Sequence, residues 1–151
     1  MYYEFVTRDL ENCARVFHEW LGSYPHDNVA LGNLGGIYEE LGQLQQGAEL
    51  TREGMKGTPD DVIGYNNLAR LLLFLNQFEE SRKTIQDAFD RKLDSEALHN
   101  YLYQLAFHAG DVHGMAEQWH GLRASLRPPR IFSHCKRRLR LISDIFKRRE
   151  N

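Results

Sequence analysis

The sequence predicts an all-α fold built as an array of stacked helix pairs, and two observations carry that prediction. The first is a repeat. Pro25 and Pro59, Asp27 and Asp61, Asn33 and Asn67, and Leu34 and Leu68 each stand 34 residues apart, so 28–95 reads as one unit written twice. The same step links Leu68 to Leu102, joins Gly42, Asn76 and Gly110, and runs back from Val112 through Phe78 and Leu44 to Leu10. A fixed period of this length marks a stacked helical array. The second observation is that apolar residues inside each unit recur at alternating steps of three and four, the spacing that lines one helix face.

Taken in order, Leu10, Cys13, Phe17 and Trp20 form the first helix face, which stops before Pro25. Asp27 or Asn28 is placed to cap the next helix, about 28–41, which buries Leu31, Leu34, Tyr38 and Leu41. Gly42 then suits a left-handed C-cap. The partner helix uses Leu44, Ala48, Thr51 and Met55 and ends at Gly57-Thr58-Pro59. Its Gly47 and Gly54 each lower helix propensity by about 1 kcal/mol relative to Ala, so they imply close approach of another helix. The pattern returns as Tyr65, Leu68, Leu72 and Leu75, with Asn76 in the place of Gly42 as an αL-tolerant residue, and then as Phe78, Ser81, Ile85 and Ala88. After the link Leu93-Asp94-Ser95 come Leu98, Leu102, Leu105 and Ala109, then Val112, Met115, Trp119 and Leu122, closed by Pro128-Pro129. Cys135, Leu139, Ile142 and Phe146 step by 4, 3 and 4, which predicts an amphipathic helix of about 132–148. Repeat arrays need a terminal element with one polar face, and this helix has that form.

The set Leu31, Leu34-Gly35, Tyr38, Gly42 and Pro59 resembles the tetratricopeptide repeat (TPR) family, and 62–95 keeps Tyr65, Leu68-Ala69 and Ala88. The unit 96–129 diverges, with Tyr103 where glycine or alanine is usual and Met115 at the small position of its second helix. Residues 1–27 align with the latter part of a unit, so the first repeat lacks most of its first helix. The resemblance covers 1–129, as 1–27, 28–61, 62–95 and 96–129, with 130–151 left as a basic capping segment. It implies a right-handed superhelical array of antiparallel helix pairs. The phrase YYEFVTRDLE, with Trp20-Leu21 and Tyr24-Pro25, is also similar to the TPR region of bacterial serine/threonine kinases and transcriptional regulators, although no kinase or DNA-binding module is present in the sequence.

Composition is that of a soluble chain, 42% hydrophobic and 26% charged. No apolar run approaches the roughly 20 residues of a membrane helix. The start MYYEFVTRDLE has neither the basic opening nor the apolar core of a secretory signal, which makes the cytoplasm the expected location unless the chain is a piece of a longer protein. Cys13 and Cys135 lie at opposite ends and indicate neither a disulfide framework nor a metal knuckle. Charge is asymmetric. Residues 1–122 hold 9 Lys/Arg against 19 Asp/Glu, a net of −10, whereas 123–151 hold 10 against 2, a net of +8.

Catalytic and metal-binding patterns are not found. Gly32, Gly35 and Gly36 have no phosphate-loop spacing, and helix packing accounts for them. His99, His108, His113 and His120 crowd one unit without a metal-ligand spacing, and read as solvated surface groups. Cys13 reads as a buried core thiol, and Glu39-Glu40 and Glu79-Glu80 as solvated charge. The expectation is therefore a non-enzyme without cofactor or metal.

What remains is the groove. In the TPR family the first helix of each unit lines the concave surface, and the ligand-facing positions carry over to Gly32, Asn33, Gly36, Glu39 and Glu40, then Asn66, Asn67, Arg70, Leu73 and Phe74, then Asn100, Tyr101, Gln104 and His108. The candidates singled out are Asn33, Asn66, Asn67, Arg70, Leu73, Phe74, Asn100, Tyr101 and Gln104. An amide both donates and accepts, so Asn33/Asn67 and Asn66/Asn100, each 34 apart, can hold an extended peptide backbone. The plainer alternative has these asparagines bonding within their repeats. Leu73 and Phe74 exceed what their own helix face needs and offer an apolar anchor. The family's chaperone-tail carboxylate clamp is absent, since its Lys and Asn positions hold Gly32 and Gly36, then Asn66 and Arg70. The leading expectation is a scaffold for an unidentified protein or peptide. The rivals are nucleic-acid or acidic-surface binding through the basic tail, which the acidic body opposes, and self-assembly as a homodimer through the incomplete N-terminal repeat.

Overall fold

The computed structural model describes residues 9–125, with side chains through residue 119. Among these residues the chain forms seven helices and no strands: α1 (Leu10–Ser23), α2 (Asn28–Glu40), α3 (Leu44–Gly57), α4 (Val62–Phe74), α5 (Phe78–Asp90), α6 (Glu96–Ala109) and α7 (Val112–Ser125). Each helix packs on its neighbour in sequence. In addition α2 touches α4 and α4 touches α6, whereas the backbones of α1, α3, α5 and α7 stand apart, with α3 and α5 bridged by the Arg52–Glu80 ion pair at 3.0 Å. The even-numbered helices are thus the tightly spaced inner layer, and the odd-numbered ones fan out behind them.

Local chemistry sets the boundaries. Asp9, Asp27, Asp61 and Ser95 accept from the backbone N–H groups of Asn12, Ala30, Ile63 and Leu98 at 3.1, 2.8, 3.0 and 3.3 Å. Each such cap contributes about 1 kcal/mol. The turns within the pairs are one motif repeated. Gly42, Asn76 and Gly110 sit at φ 74°, 59° and 68°. The following N–H groups of Gln43, Gln77 and Asp111 donate back to the carbonyls of Tyr38, Leu72 and Ala106 at 2.7, 2.8 and 2.9 Å. These are Schellman closures, and the left-handed residue favours glycine or asparagine. Lys92, at φ 63°, ends α5 the same way without either residue, which the sequence pattern did not indicate.

The crossing of the two helices in a pair is set by small residues in the 34-residue register. In the first full pair Gly35 meets Gly47, where a Cβ on Gly47 would stand 2.8 Å from the Gly35 carbonyl oxygen. In the next pair the corresponding residues are Ala69 and Ser81, and the fully buried Ser81 hydroxyl donates to the Ala69 carbonyl at 2.9 Å. Around these crossings Leu34, Ala48, Leu72, Ile85, Ala88 and Leu98 are fully buried.

Several expectations need correction. Leu73 is 7% exposed and sits in the core with Tyr65, Ile85, Leu98 and Leu105 rather than on the groove. The reason is that α4 is packed by α2, α3, α5 and α6, so its buried face is wider than a single stripe. His99 is only partly solvated: its side chain, 30% exposed, bonds to Gln118 at 2.7 Å and to Asp94 at 3.0 Å, and its ring lies 5.4 Å from Phe89. His108 is exposed as expected, with its ring stacked on Phe78 at 4.7 Å. Trp20, Val112 and Trp119, placed on buried faces by their spacing, are 51%, 73% and 48% exposed. The anticipated helix over 132–148, the basic tail and the aromatic segment before Asp9 lie outside the described residues.

Replacing Gly47 with Ala is expected to destabilise the chain by about 1–2 kcal/mol in urea unfolding. Overpacking against backbone outweighs the roughly 1 kcal/mol gained in helix propensity. Gly36→Ala meets nothing within 4 Å and is expected to stabilise by about 0.5–1 kcal/mol. Equal effects of the two substitutions would overturn the crossing geometry.

Candidate functional site

Two connected clefts run along the inner layer. The first, about 250 Å³, lies between α2 and α4 over α3. Val29 and Ile63, exposed and 34 residues apart, form its lips, and Thr51, Gly54 and Met55 line it from α3. The second, about 270 Å³, continues toward the C-terminal end of α2 past Gly36, Glu39, Glu40 and Arg70. Gly32, Asn33 and Asn67 belong to both, so the clefts form one groove with the two in-register asparagines at its middle.

The glycines divide by role. Only Gly35 of the Gly32/Gly35/Gly36 cluster serves packing, contrary to the sequence expectation. A Cβ on Gly32 or Gly36 would have nothing within 4 Å. Both therefore leave the groove wall bare, so that another backbone can approach closely.

A polar strut crosses the inner layer. The Arg70 guanidinium donates to Glu39 Oε2 at 2.7 Å, joining α4 to α2. The Tyr101 phenol on α6 lies near enough to this pair to feel both charges. Glu39, expected as solvated charge, is only 16% exposed in its side chain. Burial pushes the Tyr101 phenol above the ordinary tyrosine value, the Glu39 carboxylate adds to that, and the neighbouring Arg70 cation opposes it. Arg70 is thus engaged within the protein rather than free to meet a ligand with its whole charge. Among the described residues its buried Nε has no hydrogen-bond partner, which leaves one donor.

The remaining candidates scatter. Asn66 accepts from Ser95 Oγ at 2.7 Å, a bond within its own repeat. Asn100 and Gln104 are exposed and within 3.5 Å of each other on α6. Phe74 is 54% exposed and remains an available apolar surface. Sequence reasoning passed over Val29 and Ile63 although their spacing was legible, and it missed the bond between Glu39 and Arg70, 31 residues apart, because no periodic signal encodes it.

A third cavity, about 300 Å³, lies where α1 meets α2 and is lined by Cys13, Val16, Phe17, Trp20, Val29, Ala30 and Asn33. In the 34-residue register Phe17, Trp20, Val29, Ala30 and Asn33 match Thr51, Gly54, Ile63, Gly64 and Asn67 of the first cleft. Among the described residues no preceding helix supplies its second wall. Cys13 is 2% exposed, in keeping with a core thiol. No group of three or more His, Cys, Asp or Glu suited to a metal ion occurs among the described residues, and no helix there is long and apolar enough to cross a membrane.

No family model matches the chain. Solved structures do. MamA superposes with a TM-score of 0.72 at 16% identity, over 81% of this chain and 71% of that one. PilW, a widely conserved type IV pilus biogenesis factor, gives 0.71 at 16% identity over 82% of this chain, which spans 57% of PilW. MamA from Desulfovibrio magneticus RS-1 gives 0.70 at 19% identity, over 80% and 70%. These neighbours are TPR-like helical solenoids, and the present fold is of that kind.

The Tyr101 phenol has its pKa raised in the folded chain, so the stability it contributes is full below the ordinary tyrosine value of about 10 and is lost as pH rises through the folded value. Spectrophotometric titration at alkaline pH is expected to show one tyrosine ionising late. Tyr101→Phe removes that phase, and Arg70→Ala delays it further because the opposing cation is gone. An unchanged profile in both variants would disprove the strut.

Proposed function

We propose that this chain is a protein–protein interaction scaffold that holds an extended peptide, or a peptide-like segment of a partner protein, in the groove of α2 and α4, without catalysis. The continuous cleft carries the reading: two glycines bare its wall, and Asn33 and Asn67 face the same space from successive repeats. Backbone N–H and C=O groups of an extended chain need partners once they leave water, and side-chain amides provide both kinds. The strut supports the reading indirectly. With Glu39 and Arg70 paired across α2 and α4, the groove is preorganised, and less entropy is lost when a ligand is ordered in it. Nucleic acid is a poor fit for this surface, because residues 9–125 carry 18 Asp/Glu against 9 Lys/Arg and repel phosphate.

Partner capture with wild-type protein is the test. Asn33→Ala/Asn67→Ala and Gly36→Ala are each expected to reduce recovery about tenfold while remaining folded, the latter with its stability raised. Equal recovery by all three proteins would remove the groove.

A second reading, a homodimer through the incomplete N-terminal repeat, draws on the third cavity and on Trp20, which stands half exposed at its rim. Light scattering is expected to show a dimer at micromolar concentration that Trp20→Ser converts to monomer. A wild-type monomer under those conditions ends this reading.

A further inference from the structure

The geometry points to a cationic partner: we infer that the groove selects a peptide carrying an apolar side chain and, about five residues along, a lysine or arginine. This rests on the proposed peptide-binding role of the groove and adds the class of ligand.

The two ends of the groove differ in chemistry. At one end Val29 and Ile63, 67% and 60% exposed, flank a cleft that also takes in Met55. An aliphatic side chain placed between them removes apolar surface of both partners from water. At the other end the charges are unequal. Two carboxylates, Glu39 and Glu40, line the second cleft against one guanidinium, Arg70. One of the two is already engaged. Glu39 is paired with Arg70 at 2.7 Å, and in the first cleft Asp61 caps α4 through the Ile63 N–H at 3.0 Å. Glu40 is exposed beside Gly36, which leaves its carboxylate available to a cation that the bare wall lets approach. An acidic peptide would meet Glu40 and the surplus negative charge of the described residues, and would be repelled.

Spacing follows from α2 itself. Val29 and Glu40 are eleven residues apart on one helix, which is about 16 Å of rise at 1.5 Å per residue. An extended chain covers that in about five residues at roughly 3.3 Å each.

The experiment uses the full chain and three fluorescein-labelled polyserine peptides at low ionic strength, read by fluorescence anisotropy. One carries Leu and Arg five residues apart, one Leu and Glu, and one Ser and Arg. The Leu/Arg probe is expected to bind about tenfold more tightly than the Ser/Arg probe. It is also expected to bind about threefold to tenfold more tightly than the Leu/Glu probe, a preference that shrinks as salt is raised. Glu40→Lys, an exposed change in the last turn of α2 that complements the helix dipole, is expected to invert the preference between the Arg and Glu probes. Equal binding of Leu/Arg and Leu/Glu, or no inversion in Glu40→Lys, overturns the cationic preference while leaving a peptide groove intact. Failure of every probe to bind, with a Trp20-dependent dimer in its place, overturns the groove reading together with this one.

Discussion

The close crossing of the two helices in each pair is the constraint on which the rest of the structure depends. Where Gly35 meets Gly47 no side chain separates the backbones, and where Ala69 meets Ser81 a hydroxyl-to-carbonyl bond takes the place of the missing volume. Both crossings hold α3 and α5 tightly behind α2 and α4. That leaves α2, α4 and α6 free to touch along the inner layer. The third pair has Tyr103 and Met115 at the same two positions, and Tyr103 packs toward Trp119 at 6.5 Å. α6 and α7 pack closely all the same, and Val112 and Trp119 stand exposed on α7.

From that spacing comes the groove. Neighbouring inner helices present successive repeats of one position to the same space, so residues 34 apart in the chain become neighbours across a cleft. Val29 with Ile63 and Asn33 with Asn67 are such pairs. The strut of Glu39, Arg70 and Tyr101 is of a different kind. It pairs Glu39 with Arg70 across two repeats, with Tyr101 of the third close by, and fixes charge that a periodic reading left available to a ligand. Glu40 keeps its carboxylate exposed next to the neutralised pair, which leaves that end of the groove acidic.

Three glycines close in sequence illustrate how far local reasoning reaches. Gly35 lies against a crossing helix, where a methyl would run into the Thr51 hydroxyl and crowd the Gly47 carbonyl, whereas Gly32 and Gly36 have open space where a Cβ would be. All three look alike in the chain, because helix periodicity gives the angle of a residue around its axis and not what stands opposite. The histidines show the same limit. His99 and His108 carry no pattern in sequence, yet one is bonded to Gln118 and Asp94 and the other is stacked on Phe78.

By itself the sequence determined the seven described helices, the cap at Asp27, the left-handed turns at Gly42, Asn76 and Gly110, and the 34-residue register that makes this a solenoid. All of these depend on contacts within a few residues or on strict periodicity, and both are written in the order of side chains. Tertiary structure alone decided that Leu73 is core, that Asn66 is held by Ser95, that Arg70 is paired with Glu39, and that Gly32 and Gly36 open the groove. Each of those outcomes turns on which surface a neighbouring helix covers. That is set by how closely whole helices approach, and no single stretch of the chain contains it.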